Sequence, residues 1–222
     1  MLEALYFRVI LYYLPLYMQC FVATLWLSAL SLLGAIIVGI IACALRLSQS
    51  RFMSGIAGVY IESIRSTPLL VQLYCFYFGL PTLGIMLPEW VTGVIALTLN
   101  SGAYYAEIIR SGIQAIHFGQ IEAGIASGLS YFQRMRYIIL PQALGMTIRP
   151  MLGQAIVLVK DSSLLSLISI VELTRAGQLL TSERFMPAEG FLTTAAFYLV
   201  LYYMLKTFSN WSEKRLIFRE AH

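Results

Sequence analysis

The side chains best suited to chemistry in this sequence lie inside long apolar runs. Glu62, Asn100 and Asp161 each interrupt a different run. A charge at the centre of a membrane costs at least about 2.5–3.5 kcal/mol on insertion scales, so each charge needs a partner or a function. His117 and His222 lie outside the runs, and neither H-E-x-x-H nor G-x-S-x-G occurs. We therefore expect the binding of a polar solute, with no catalytic residues and no metal site.

These three residues share one predicted depth. Counted from the nearer polar edge, each lies nine to eleven residues inside its run. At 1.5 Å per residue this is about 14–17 Å, near the middle of a hydrocarbon core of about 30 Å. The spacing predicts one polar pocket that binds the solute. Alternatively, the charges neutralise one another, with Glu62 and Arg65 paired on one helix face.

The composition supports a membrane location for these runs. Of the 222 residues, 59% are hydrophobic and 12% charged, and the mean hydropathy is +0.77. Soluble domains average about 45–50% apolar and about 25% charged residues. This excludes a disordered chain, a collagen, a disulfide scaffold and an ordinary soluble enzyme. Because no basic face is evident, nucleic acid is not an expected partner, whereas membrane lipid is.

We predict an all-α integral membrane protein that forms a single domain over residues 1–222. Its core, residues 19–213, is expected to contain five transmembrane helices. Residues 1–18 are apolar at helical spacing but short, and they predict a separate helix lying in the interface. Residues 111–149 are expected to form a cytoplasmic loop. The five predicted spans are residues 20–45, 53–80, 90–109, 150–171 and 190–205.

The basic residues predict the orientation. Ten of the fifteen fall on the side that carries the 46–51 turn, the long loop and the C-terminal tail, and three fall on the other side. Because cytoplasmic loops are enriched in Lys and Arg, we expect the N-terminus outside and the C-terminus in the cytoplasm.

A proline interrupts the second predicted span. Pro68, preceded by Ser66 and Thr67, removes a backbone hydrogen bond there. Broken helices at membrane depth are tolerated where they line a cavity, which favours a solute path beside Thr67. A simple packing kink is the alternative.

The long loop predicts two short helices at an angle. The first has Glu122 in its opening turn, where the helix dipole favours an acid, and it ends at Gly128, which permits a left-handed turn. Ser130 and Gln133 form a capping box for the second helix, which we expect Pro141 to end. The two helices are expected to form a rigid projection to which another protein binds. The alternative is an ordinary surface hairpin.

This loop resembles the EAA motif, E-A-A-x3-G-x9-I-x-L-P, of bacterial ABC-importer permeases. Gly124 stands where the motif has its second alanine, and Gly119 lies just upstream. The seven motif positions are occupied here by Glu122, Ala123, Gly124, Gly128, Ile138, Leu140 and Pro141, and all but Gly124 match. The polar amino acid permeases contain segments similar to residues 62–73, 100–113 and 159–164 of this chain. The first of these segments includes Gln72.

The resemblance implies a type I importer of the bacterial inner membrane that carries a polar amino acid by alternating access. It implies a second permease subunit, identical or paralogous, and an extracytoplasmic amino-acid-binding protein. It also implies a cytoplasmic ABC ATPase dimer that docks on the EAA helix. ATP and Mg²⁺ would be bound by that partner, since this chain has no G-x-x-x-x-G-K-[ST] and no cofactor of its own is expected.

An ion-coupled secondary transporter of a small polar solute is the alternative. Such proteins also place acids near the midplane, but they usually contain internal repeats, and five spans divide poorly into two.

Overall fold

The computed structural model describes residues 8–217, with side chains to residue 211, and every regular element within them is helical. The elements are α1 (Arg8–Arg46), α2 (Arg51–Arg65), α3 (Leu69–Tyr74), a first π-helical turn (Cys75–Gly79), α4 (Leu80–Thr82), α5 (Glu89–Gln114), α6 (Phe118–Ala126), α7 (Tyr131–Arg134), a second π-helical turn (Met135–Ile139), α8 (Leu140–Asp161), a 3₁₀ segment (Ser162–Ile168), α9 (Leu173–Arg184) and α10 (Pro187–Ile217).

Helix α5 lies at the centre of the fold, packed against α1, α2 and α8. Small residues bring α1 and α5 close together. A Cβ atom on Gly39 would lie 2.6 Å from Cβ of Tyr105, and one on Gly34 would lie 2.8 Å from Oγ1 of Thr98. Such close approach is typical of helix pairs in membranes, where small residues allow dense packing.

Helix α1 runs without a break from Arg8 to Arg46, a length of about 58 Å for its 39 residues. The prediction of a separate interfacial helix is therefore wrong for residues 8–18, and its residues 1–7 lie outside the described part of the chain. Tertiary contacts support the extension despite Pro15. The Tyr13 hydroxyl donates to Glu183 Oε2 at 2.7 Å, and the Tyr17 hydroxyl donates to the Gly190 carbonyl at 2.8 Å.

The second predicted span is divided at residues 66–68, as the proline suggests. Helix α2 ends at Arg65, and Pro68 caps the N-terminus of α3. The chain then passes through the first π-helical turn into α4, and Gly84 takes a positive φ of 79° in the loop that follows. The interruption thus lies within the segment, with helix on both sides of it.

Pro141 does not end a helix, which corrects both the predicted helix end and the predicted loop 111–149. The helix beginning at Tyr131 continues through the second π-helical turn and α8 to Ile168, a run of 38 residues. In that turn the Leu140 N–H donates to the carbonyl of Met135, five residues back. This wider turn lies where Pro141 cannot donate its own hydrogen bond, so the helix continues without a break. Residues 131–149 are therefore part of a long helix.

Three helices are long and apolar enough to cross a membrane by length and composition. Among the described residues they are Arg8–Arg46, Tyr131–Ile168 and Pro187–Trp211, and Leu69–Thr82 is a shorter apolar helix.

Candidate functional site

A cavity of about 420 Å³ opens where the second segment is divided, between that break, α5 and α8. Its walls are formed by Arg65, Ser66, Thr67, Pro68, Leu69, Asn100, Tyr104, Gln154, Val157 and Asp161. The break therefore contributes directly to the walls of the cavity.

Gln72 holds the break together from behind the cavity. Its buried Nε2 donates to the Ile64 carbonyl at 2.7 Å and to Thr67 Oγ1 at 2.8 Å. Its Oε1 accepts from Asn100 Nδ2 at 3.0 Å. Because an unpaired buried carbonyl is costly, this amide compensates for a backbone hydrogen bond that the break removes. It also fixes Thr67 and Asn100 relative to each other.

The cavity contains one basic and one acidic side chain. The Arg65 guanidinium carbon lies 5.5 Å from the ring centroid of Tyr104, a cation–π contact that holds the base against the wall formed by α5. Asp161 is the last residue of α8, and it is partly buried. The neutral amides of Asn100 and Gln154 complete a polar lining able to bind both an anionic and a cationic group.

The loop that precedes the long helix is formed by α6, here called the α6 projection, and it meets the long helix at α7. His117 Nδ1 accepts from the Gly119 N–H at 3.2 Å and caps α6. At the other end Gly128 takes a φ of 75°, and the Leu129 N–H donates to the Gly124 carbonyl at 3.0 Å, the arrangement of a Schellman turn. The predicted capping box of Ser130 with Gln133 is present.

Some of the remaining motif residues pack inside the loop, and the others lie on its surface. Gly124 is buried, and a Cβ atom there would lie 2.8 Å from Cδ1 of Ile138. Arg134 lies over the same glycine and donates from Nη1 to the Leu129 carbonyl at 2.7 Å. In contrast, four of these remaining residues are exposed, of which two are on α6 and two begin α8. They are Glu122, Ala123, Leu140 and Pro141.

Comparisons with known proteins identify the family. Residues 35–218 match the family described as "Binding-protein-dependent transport system inner membrane component". The chain belongs to this family. It is 38% identical over 201 residues to the probable glutamine ABC transporter permease protein GlnM of Bacillus subtilis (strain 168), covering 90% of this chain and 93% of the relative.

Two further likenesses extend over nearly the whole permease. The glutamine transport system permease protein GlnP of Escherichia coli (strain K12) is 37% identical over 205 residues, covering 91% of this chain and 94% of that one. A crystal structure of an amino acid ABC transporter with histidines superposes with a TM-score of 0.91 at 35% identity. The superposition covers 96% of this chain and 99% of that one. The predicted resemblance is confirmed, and the ion-coupled alternative is not favoured.

Glu62 lies outside the cavity, so the prediction that it shares one pocket with Asn100 and Asp161 is wrong. Its carboxylate lies 3.7 Å from Arg46 Nη2, and its side chain is 76% exposed. Arg46 reaches back from the end of α1 along α2, where Nη1 donates to the Ser54 carbonyl at 3.2 Å. The alternative pairing of Glu62 with Arg65 is not observed either, since Arg65 contacts Tyr104.

Tyr104 and Gln154 line the cavity but are not among the site residues that the sequence predicts, although helical periodicity indicates both. Tyr104 follows Asn100 by four residues on α5, and Gln154 precedes Asp161 by seven on α8. Residues at these spacings share one helix face. Among the described residues, no group of three or more His, Cys, Asp or Glu side chains is placed to hold a metal ion.

Proposed function

We propose that this permease forms part of the membrane path of an ATP-driven importer, and that the 420 Å³ cavity binds a polar amino acid. The observation that carries the proposal is the presence of Arg65 and Asp161 in one cavity. A free amino acid carries one carboxylate and one ammonium group at neutral pH, so a base and an acid match its two charges. Asn100 and Gln154 are suited to a polar side chain. The names of the relatives, two of them glutamine permeases, support this class of solute.

We further propose that five segments cross the bacterial inner membrane, with the N-terminus outside and the C-terminus in the cytoplasm. The 26 residues of α5 span about 39 Å, enough to cross, and α5 is enclosed by α1 and α8. The divided segment from α2 to α4 would be the second span. Its polar break lies beside the cavity, where irregular backbone at membrane depth is tolerated.

A second permease subunit, identical or paralogous, is proposed to cover the polar face of this one. Glu62, Arg65 and Lys160 are exposed in the single chain. All three lie within predicted spans, where exposure of a charge to lipid is expensive. Covering this face with another subunit would place these charges along a shared, water-accessible path.

The α6 projection is proposed to dock on a cytoplasmic ABC ATPase dimer, which binds ATP and Mg²⁺. Its cap, its Schellman turn and the contact of Gly124 with Ile138 support a rigid body that can transmit force. Glu122 and Ala123 offer an exposed contact surface. An extracytoplasmic binding protein would deliver the amino acid on the opposite side.

Uptake by the assembled importer in proteoliposomes tests the proposal. We expect accumulation of an amino acid that requires ATP and the binding protein and that persists when an uncoupler abolishes ion gradients. Uptake that stops with the uncoupler while ATP is held constant would contradict the ATP-driven function and favour ion coupling.

A further inference from the structure

The hydrogen bonds of Gln72 allow its side-chain amide only one orientation. Its Nε2 donates to the Ile64 carbonyl at 2.7 Å and to the Thr67 carbonyl at 3.0 Å. A backbone carbonyl accepts a hydrogen bond but cannot donate one, so the nitrogen of the amide must face these two atoms. The reversed amide would place Oε1 against two oxygens. Oε1 of Gln72 therefore faces α5, where it contacts Asn100.

The orientation of Gln72 determines that of Asn100. Because Oε1 of Gln72 can only accept, Asn100 must present its Nδ2, and the two atoms lie 3.0 Å apart. Asn100 is 5% exposed and lines the cavity, whereas Gln72 lies behind the wall and does not line it. The nitrogen of the Asn100 amide is therefore turned toward the back of the wall, and its carbonyl oxygen Oδ1 toward the cavity. Among the residues that the structure describes, no group donates a hydrogen bond to this oxygen.

Neither Thr67 nor Gln154 offers the cavity a fixed donor. The Thr67 hydroxyl donates to the Ser63 carbonyl at 2.9 Å, so its proton is not available to a ligand. Gln154 Nε2 donates weakly to the Ser101 hydroxyl, at 3.5 Å. Because a hydroxyl both donates and accepts, either end of the Gln154 amide can face a ligand. The cavity thus contains one amide of fixed polarity and one that can adapt.

We propose that Asn100 is a specificity-determining residue, which selects amino acids whose side chain ends in an N–H donor and rejects those that end in a carboxylate. This rests on the proposed function of the cavity as the amino acid site. With the α-carboxylate on Arg65 and the α-ammonium group on Asp161, the side chain of the ligand meets Asn100 Oδ1. An amide or a cationic group donates to this oxygen. A carboxylate would bring acceptors together and leave a buried acceptor unpaired, which discriminates strongly between ligands.

The first test compares ligands of similar size. It uses the permease–ATPase complex without its binding protein, so that the measured selectivity belongs to the permease. In a Cys75→Ser background, alkylation of Val157→Cys reports occupancy of the cavity, since Val157 lines it and Cys20 and Cys43 are buried. L-glutamine and L-lysine carry the donor in neutral and charged form. We expect the better of the two to protect residue 157 at a concentration at least tenfold lower than L-glutamate, and a smaller ratio would overturn the proposal.

Alanine substitution of the two cavity amides separates selection from affinity. Asn100→Ala should bring the ratio between the better donor and L-glutamate below threefold, because the fixed acceptor is removed. Gln154→Ala is the matched control. It should weaken protection by all ligands alike and leave the ratio within twofold of its original value, since this amide adapts to either ligand. A ratio of threefold or more in Asn100→Ala, or an equal fall in Gln154→Ala, would overturn the proposal.

Failure of this selectivity can be told apart from failure of the proposed function. If none of the twenty amino acids protects residue 157, the cavity is not the amino acid site, and the proposed function fails together with the selectivity. If only amino acids without a side-chain N–H protect it, the cavity binds amino acids but the assignment of Asn100 is wrong. The comparison of ligands needs no change at Asn100, so it still decides the proposal if Asn100→Ala does not assemble.

Discussion

At the residue scale, the polar groups of the cavity depend on hydrogen bonds from neighbours that do not face it. Gln72 connects Thr67 with Asn100, which joins the broken segment to α5. Counting residues along the sequence predicts correctly that Asn100 and Asp161 share a pocket, because depth follows from helix rise. It fails for Glu62, because depth alone does not give the direction of a side chain around its helix. It also takes no account of how far Arg46 reaches.

Gln72→Leu should destabilise the permease through the loss of these bonds. The change leaves a buried carbonyl and the Asn100 amide without their partner, which costs about 1–3 kcal/mol for each unpaired group. We expect a lower thermal midpoint of the purified complex and weaker amino acid uptake. Gln142→Leu is the matched control, since Gln142 is exposed and donates to Ile138 in its own helix. Equal midpoints for the two variants would contradict the role of Gln72.

At the element scale, the helix that begins at Tyr131 continues through Pro141, which the sequence suggests as its end. Each π-helical turn ends two residues before a proline, Pro81 or Pro141. The expectation that Pro141 ends its helix treats the helix as isolated. In the folded chain, Ile139 and Ala143 are buried on either side of this proline and stabilise the continuous helix. The break at Pro68 differs, because there the Gln72 side chain satisfies the freed carbonyl.

Substitution by alanine should have opposite effects on stability at two glycines. Gly39 lies in the contact between α1 and α5, whereas Gly153 on α8 has open space around it. In Gly39→Ala the new methyl group would lie 2.6 Å from Tyr105 Cβ and 3.1 Å from the Ala106 backbone nitrogen. Overpacking of this kind typically costs about 1–3 kcal/mol. Gly153→Ala, with open space around the new methyl group, should instead stabilise α8 by about 0.5–1 kcal/mol. Thermal unfolding of both purified variants measures the contrast, and equal midpoints would contradict the close packing of α1 on α5.

At the scale of the whole molecule, one helix joins the two candidate sites. The run from Tyr131 to Ile168 begins beside the α6 projection and contains Gln154 and Asp161 of the cavity. The continuous helix therefore connects the α6 projection with the cavity wall. The EAA resemblance predicts the projection, but it does not predict that residues 131–149 form a helix continuous with the fourth span. That continuity depends on packing that a local motif does not encode.

Glu122→Lys tests the proposed contact between the α6 projection and the ATPase. Because Glu122 is exposed, we expect normal membrane insertion and yield, together with loss of ATP-driven uptake. Glu89→Lys is a control that reverses an exposed charge on the predicted outer side, and it should retain uptake. Wild-type uptake by Glu122→Lys would show that this surface is not the ATPase contact.

Binding of the amino acid in the cavity is tested most directly by comparing two acids of the predicted spans. Asp161→Asn removes a charge from the cavity, and Glu62→Gln removes one from the contact with Arg46. If the cavity binds the amino acid, Asp161→Asn should lose about 1.5–3 kcal/mol of binding, a fall of roughly tenfold or more in uptake efficiency at normal yield. Glu62→Gln should stay within about threefold of wild type, in line with the small worth of an exposed ion pair. Wild-type efficiency in Asp161→Asn, with a large loss in Glu62→Gln, would contradict the assignment of the cavity.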